Sequence, residues 1–282
     1  MRERVCMYLP PVDGISSYYQ MIDVACEYDV GYVDFLNEYE LRTPDRDVAA
    51  AIRRYLDERN VQACCMTACV NLVGDEAAVR ASIDKAKAYV DVAEILGAPL
   101  FHHTIATDLA NPQRTQDNRE AYLTQALAAT REIYDYAAAK GIRTVSENQG
   151  FLFNGVKGVT EFLSRADHDF GVVGDIGNIL FVEEHAVDFL PHVMPHVAHM
   201  HIKDYIYTVN PTRERQKGEF VTRDGNYLLD CPFGEGCVDF DRVFAILKES
   251  GYNGLLALEC PAIGEDSRAV LARNLAYLDQ YD

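Results

Sequence analysis

The run from 196 to 204, His-Val-Ala-His-Met-His-Ile-Lys-Asp, places imidazole, ammonium and carboxylate groups in one short strand-like segment. With a two-residue period, His199, His201 and Lys203 share one face, and the opposite face is apolar. A strand with these two faces is typical of a barrel wall that packs under helices outside and faces a site inside.

Three more short apolar runs, at 141–147, 170–175 and 253–259, end in an acid. With the first run they supply four terminal groups: Glu147, Asp175, His201 and Glu259. Counting back by twos shows that these four side chains can all point into one barrel. Because a buried carboxylate without a partner loses its hydration, a shared divalent cation is the predicted partner.

Three carboxylates and one imidazole form an oxygen-rich ligand set. Such a set favours manganese, with magnesium, cobalt or zinc as alternative ions, and it is unlike a structural zinc site. The other interpretation is that each acid caps the next helix or pairs with an arginine.

The chain alternates short apolar runs with longer amphipathic ones. The remaining predicted strands lie near 5–9, 32–36, 61–67 and 99–104. Helices are predicted near 16–29, 46–58, 75–96, 115–139, 157–165, 184–192, 239–250 and 266–280. Eight strand-then-helix units predict an α/β fold, a (β/α)8 TIM barrel forming a single domain over residues 1–282.

Composition narrows the classes of partner. No apolar run is long enough for a membrane span, and the first residues do not resemble a signal peptide, so we expect a soluble cytoplasmic protein. A formal net charge of −18 argues against nucleic acid and for a small-molecule partner. A homo-oligomer is compatible with the sequence.

The eight cysteines contain no Cys-x-x-Cys pair, and we interpret them as packed, reduced thiols. Cys260 is the one cysteine of interest for the site, because it is adjacent to Glu259.

Five motifs carry a resemblance to a known family. They are Ser-Glu-Asn-Gln-Gly (146–150), Gly-Asp-Ile-Gly-Asn (174–178), His-Met-His-Ile-Lys-Asp (199–204), Phe-Gly-Glu-Gly-Cys-Val-Asp-Phe (233–240) and Leu-Glu-Cys (258–260). In this order they resemble the sugar phosphate isomerase/epimerase family, the xylose-isomerase-like TIM barrels that include ketose 3-epimerases, hydroxypyruvate isomerase, inosose dehydratase and endonuclease IV.

The resemblance implies that Glu147, Asp175, His201 and Glu259 are metal ligands and that Glu147 and Glu259 also move the proton. The implied function is a metal-dependent isomerase or epimerase of a keto sugar or related polyol that abstracts a proton next to a carbonyl. The alternatives are a lyase or dehydratase acting on oxidised sugars or inososes, including C-glycoside deglycosidase activity, and a catalytically idle barrel. An endonuclease is disfavoured because no Asp-x-His follows the seventh strand.

Four further residues are candidate substrate contacts. Asn178 stands where the ketose 3-epimerases carry a substrate-binding histidine, which is a departure from that branch. Lys203 is placed at the rim, either holding a substrate oxygen or solvated. His102 and His103 are adjacent on the fourth strand, so only one can face the barrel, and His103 is the predicted contact, with ordinary core packing as its alternative. Arg215 belongs to the long 205–238 connection, which we expect to cover the site as a lid.

Overall fold

A computed structural model describes residues 2–8, 12–106, 112–259 and 266–281 of the chain. Strands and helices alternate through the first half: β1 (Val5–Met7), α1 (Tyr18–Glu27), β2 (Tyr32–Leu36), α2 (Arg46–Arg59), β3 (Gln62–Ala68), α3 (Glu76–Leu96), β4 (Leu100–His103), α4 (Pro112–Asp117) and α5 (Arg119–Ala138). The second half contains β5 (Arg143–Glu147), α6 (Gly155–Arg165), β6 (Gly171–Asp175), α7 (Ala186–Val193), β7 (Val197–Ile202), β8 (Asp204–Thr208), β9 (Phe220–Val221), β10 (Tyr227–Cys231), α8 (Phe240–Glu249), β11 (Leu256–Leu258) and α9 (Ser267–Asp279).

Eight of these strands close a parallel barrel in the order β1-β11-β7-β6-β5-β4-β3-β2. Helices lie between the strands and bury an apolar layer against the outside of the barrel. The predicted single-domain TIM barrel is therefore confirmed. Cys260 lies outside the described residues.

Aspartates at helix starts account for part of the acidic composition. Asp45, Asp75, Asp239 and Asp266 each precede a helix and accept a backbone N–H of its first turn. Such caps satisfy donors that have no partner within the helix. These four acids are therefore structural.

The long connection predicted at 205–238, after β7, contains strands of its own. β8, β10 and β9 form a separate antiparallel sheet in that order, so much of the connection is regular structure. The strand-favouring run Tyr-Ile-Tyr-Thr at 205–208 was the available signal for it. We call this sheet, together with its loops to residue 238, the excursion.

Asp204 attaches the excursion to the barrel. Its buried carboxylate accepts the backbone N–H groups of Gly234, Gly236 and Val238 at 2.9 to 3.1 Å. A Cβ at Gly236 would collide with this carboxylate, so glycine is required there. Asp204 thus positions the return of the chain towards α8.

We expect Asp204→Ala to lower the free energy of unfolding by about 3 kcal/mol, because three backbone donors lose a charged acceptor. Urea unfolding followed by circular dichroism measures the change. The control is Asp224→Ala, an exposed acid of the excursion paired with Arg223, which should change stability by less than about 0.5 kcal/mol. Equal effects of the two substitutions would contradict this role for Asp204.

Candidate active site

Four side chains from consecutive strands of the barrel meet at its carboxyl end. Glu147 and Asp175 end β5 and β6, His201 lies in β7, and Glu259 directly follows β11. The Glu259 backbone N–H donates to the Ile202 carbonyl at 3.0 Å, which extends the ladder by one residue and fixes where this glutamate leaves the sheet. Parallel strands in register bring the four predicted groups together.

His201 Nδ1 is the centre of the cluster. It lies 2.7 Å from Glu147 Oε1, 3.2 Å from Glu259 Oε2 and 4.0 Å from Asp175 Oδ2. One ligand atom from each of the four residues lies within 4.8 Å of all the others. Glu147, Asp175 and His201 are buried, and Glu259 is partly exposed, so the cluster opens towards the face where TIM barrels bind substrate.

Asp175 performs two roles with its two oxygens. Oδ1 accepts the backbone N–H groups of Gly177 and Asn178 at 2.8 and 2.6 Å. Asp175 thus caps the turn after β6, and capping is the alternative role that the sequence allowed for each acid. Oδ2 instead points towards His201 and Lys203. Asn148 Oδ1 accepts the Asp175 N–H at 2.8 Å and so fixes this strand end. Capping and ligation are therefore compatible in Asp175.

Lys203 lies inside the cluster. Its Nζ is 2.9 Å from Asp175 Oδ2 and 2.8 Å from Glu259 Oε1, and its side chain is 4% exposed, which excludes a solvated rim lysine. Gly177 makes room for it, because a Cβ there would overlap the Lys203 stem. Asn178 Oδ1 accepts from the same ammonium at 3.2 Å. Two of the predicted substrate contacts, Lys203 and Asn178, therefore border the cluster.

The pKa values of the two buried acids Glu147 and Asp175 are shifted in opposite directions. Burial acts to raise the pKa of Glu147, but the charge and hydrogen bond of His201 outweigh it and hold that pKa well below its usual value. Burial raises the pKa of Asp175, opposed by Lys203 and reinforced by Glu147 and Glu259. Glu147 is thus held as a carboxylate, as a general base requires.

A cation fits the donor set of this cluster. Asp175 Oδ2 and Glu259 Oε2 are buried and lie within ion-pair distance of a cationic side chain, yet neither accepts a hydrogen bond of good geometry in the described part of the chain. Carboxylate oxygens plus one imidazole nitrogen suit a hard or borderline divalent ion. Glu147, Asp175, His201 and Glu259 would hold it.

Two of the predicted contacts are not brought to the cluster. His103 faces outwards, with Ser146 Oγ donating to its backbone carbonyl and its ring against Phe170. The inward residue is His102, whose ring lies 5.7 Å from that of His201. The register of β4 therefore selects His102 and corrects the prediction for His103. Arg215 is exposed to solvent, and it interacts electrostatically with Glu219 of the same connection.

Three residues near the cluster were missed. Asp34, an acid within apolar β2, has its carboxylate Oδ2 2.9 Å from His199 Nε2 and 3.8 Å from His201 Nε2. The hydrogen bond orients the His199 ring, and the same carboxylate lies on the Nε2 side of His201 at 3.8 Å, which leaves His201 Nδ1 for the cluster. Its signal was a lone acid in the run Tyr-Val-Asp-Phe-Leu.

Tyr8 and Asp230 are the other two missed residues. The Tyr8 ring lies 4.5 Å from the His201 ring, and burial together with Glu259 and Glu147 raises its pKa well above the usual value, so the phenol stays a donor. Asp230 of β10 interacts electrostatically with Lys203 and Glu259, and burial raises its pKa to about 6. The sequence shows no signal for Asp230 because only the excursion sheet turns it towards the cluster.

An eight-stranded parallel barrel with carboxylates and an imidazole at its carboxyl end defines a TIM-barrel protein with a potential metal centre. Residues 22–281 match the sequence profile of the xylose isomerase-like TIM barrel family, and the chain belongs to that family. The family predicted from the five motifs is thereby confirmed. Among the described residues, the helices contain no span long and apolar enough to cross a bilayer.

Individual relatives are similar over part or all of the chain. An inosose dehydratase of Clostridium beijerinckii is 25% identical over 137 residues, 46% of this chain and 41% of that protein. The chain thus spans less than half the length of the curated relatives compared. D-allulose 3-epimerase from Methylomonas sp. superposes with a TM-score of 0.76 at 17% identity, covering 100% of this chain and 98% of that one.

A second similar structure contains a metal. A xylose isomerase-like TIM barrel protein from Mycobacterium smegmatis, in complex with magnesium, superposes with a TM-score of 0.72 at 19% identity, covering 94% of this chain and 87% of that one. At these identities the likeness of the two structures defines the fold. Two of these three similar proteins are named as enzymes, an inosose dehydratase and a D-allulose 3-epimerase.

We expect Lys203→Met to lower the free energy of unfolding of the metal-free protein by about 3 to 5 kcal/mol, because a buried carboxylate pair loses its cation. Added Mn²⁺ should then raise the melting temperature more in this variant than in the wild type, since the ammonium no longer repels it. Differential scanning calorimetry with and without Mn²⁺ measures both effects.

The control is Lys248→Met, an exposed lysine in the last turn of α8. It should leave both the stability and the response to Mn²⁺ near the wild-type values. A Lys203→Met protein that is as stable as wild type, or that no longer responds to Mn²⁺, would show that the ammonium does not neutralise the carboxylates in this way.

Proposed function

We propose that the protein is a divalent-metal-dependent isomerase or epimerase of a keto sugar or related polyol, working by proton transfer next to a carbonyl. The observation that carries the proposal is that Glu147 and Glu259 both have a carboxylate oxygen close to His201 Nδ1, at 2.7 and 3.2 Å. β5 and β11 are separated in the barrel by β6 and β7, so the two carboxylates approach from different directions.

Manganese is the proposed ion, with magnesium, cobalt or zinc as alternatives, held by Glu147, Asp175, His201 and Glu259. When bound, such an ion would polarise the substrate carbonyl and stabilise the negative charge that develops on it. The oxygen-rich donor set supports this proposal, as does the magnesium complex of the similar barrel.

The side chains of the cluster would carry out proton removal, proton return and orientation of the substrate. Glu147 is ionised and can remove a proton from the carbon beside the carbonyl. Glu259, partly exposed on the other side, can return a proton to the opposite face. Lys203 and the protonated Tyr8 are donors that can orient hydroxyl or carbonyl oxygens between them.

A dehydratase is the second candidate. The inosose dehydratase relative favours it, and loss of a hydroxyl after proton removal requires the same first step. The two reactions differ in the second carboxylate: inverting a centre needs a base on each face, whereas isomerisation or dehydration can use one. The role of Glu259 therefore decides between them.

The metal part of the proposal predicts about one divalent ion per chain bound at this cluster in the purified protein. His201→Ala and Asp175→Ala should each lose most of it, because each removes one donor of a four-donor set. Mass-spectrometric metal analysis after gel filtration measures the occupancy, and His192→Ala, an exposed histidine of α7, is the control. Unchanged occupancy in both cluster variants would exclude this site.

The proton-transfer part predicts deuterium next to the carbonyl when the metal-loaded protein is incubated with a panel of ketoses and inososes in deuterated water. Glu147→Gln and Glu259→Gln should each lower turnover about a hundred- to ten-thousandfold in an epimerase. Nuclear magnetic resonance of the products measures exchange, inversion and loss of water. Glu249→Gln, an exposed acid paired with Arg242, is the control.

Metal occupancy must be measured in each glutamate variant, since both residues are proposed ligands. If Glu259→Gln keeps its metal and normal exchange, that residue is only a ligand, and the one-base isomerase or dehydratase replaces the epimerase. If neither substitution affects exchange in a metal-loaded protein, proton transfer by these glutamates is excluded.

A further inference from the structure

A second group of metal-binding side chains lies within the barrel, on the strands β1, β2 and β3. Cys6, Asp34 and Cys64 each point into the interior and are buried. The two sulphur atoms are 2.7 Å apart, and one Asp34 carboxylate oxygen lies within 4.8 Å of both. Cys6 and Cys64 play no part in the proton transfer proposed above, and Asp34 is connected to that site only through its contacts with His199 and His201.

An irregularity in β3 places Cys64 in this group. The pairing of β2 with β3 shifts between Val33 and Asp34, so Cys64 is the additional residue on its strand. A bulge of this kind turns a side chain away from the alternation that the strand would otherwise impose. Cys64 therefore joins Cys6 inside the barrel.

Asp34 has one oxygen to spare for a ligand. Oδ2 is bonded to His199 Nε2 at 2.9 Å, while Oδ1 is buried and has no hydrogen-bond partner in the part of the chain that the structure describes. A buried carboxylate oxygen without a donor is costly. A cation beside the two thiols would remove that cost.

We propose that Cys6, Cys64 and Asp34 form a second metal site, which takes a thiophilic divalent cation of the zinc or cadmium type. Two sulphur donors distinguish it from the oxygen-rich cluster around His201, which suits harder ions. Sulphur atoms that share one tetrahedral zinc at about 2.3 Å lie roughly 3.8 Å apart, so uptake separates the pair by about 1 Å. The site would join three neighbouring strands by one ion.

Uptake of the cation has a defined proton balance. Burial raises the pKa of the Cys6 thiol to about 11 and that of Cys64 well above its usual value, so both sulphurs carry protons in the metal-free protein. The cation forms two metal–sulphur bonds and one bond to the Asp34 carboxylate, and two protons leave to solvent. Affinity should therefore fall as the pH is lowered.

The test uses cadmium, because thiolate-to-cadmium charge transfer absorbs in the ultraviolet and the cluster around His201 contains no sulphur. The full chain is refolded from denaturant with excess Mg²⁺ and one equivalent of Cd²⁺, freed of unbound metal by gel filtration, and analysed for absorption and bound cadmium. We expect about one cadmium with thiolate absorption per wild-type chain and a melting temperature above that of the cadmium-free protein.

Matched variants locate the ion. Cys6→Ser and Cys64→Ser should each lose most of the absorption, and Cys26→Ser, an exposed cysteine of α1, should keep it. Circular dichroism and metal binding at the His201 cluster report whether each variant folds, and Cys6→Ala and Cys64→Ala replace any serine variant that does not. These readouts are independent of any sugar turnover.

Three results would overturn the second site. The first is wild-type protein without thiolate absorption after refolding with cadmium, a result that needs no variant. The second is absorption that persists in folded Cys6→Ser or Cys64→Ser. The third is a Cys6–Cys64 disulfide, detected as a mass about 2 Da lower and as two cysteines that alkylate only after reduction.

Discussion

Negative charge buried at one end of the barrel is the constraint on which the rest of the structure depends. Glu147, Asp175 and Asp34 are buried together, where water screens charge poorly, and Glu259 joins them at the partly exposed side. Lys203 and the imidazole of His201 compensate part of this negative charge, because each contacts two or more of these carboxylates. A metal ion would supply the remaining positive charge.

The surrounding elements serve this arrangement. The parallel barrel aligns strand ends so that residues far apart in sequence become neighbours. Asn148 holds the Asp175 backbone, Asp34 lies against the far side of the imidazoles, and Gly177 leaves space for the lysine stem. The excursion, attached through Asp204, adds Asp230 at the open side. Each support acts on orientation, which proton transfer requires within a fraction of an ångström.

One centre of this kind is compatible with several reactions of sugars. Proton removal beside a carbonyl needs a base, a stabilised oxygen and a fixed substrate, and these are common to isomerisation, epimerisation and dehydration. What distinguishes the reactions is the position of the second acid–base group and the contacts to the substrate. Asn178 and Asp230 both interact with Lys203, so we propose them as the residues through which substrate contacts in this barrel would differ from those in related ones.

The sequence by itself determined the barrel and its four terminal groups. Strand ends with acids follow from period-two patterns and local signals, so Glu147, Asp175, His201 and Glu259 were found without coordinates. Tertiary structure decided what depends on register and burial: His102 rather than His103 faces inwards, Lys203 is enclosed, and Asp34 and Tyr8 reach His201 from other strands. No local pattern encodes such contacts, because they arise only when the sheet closes.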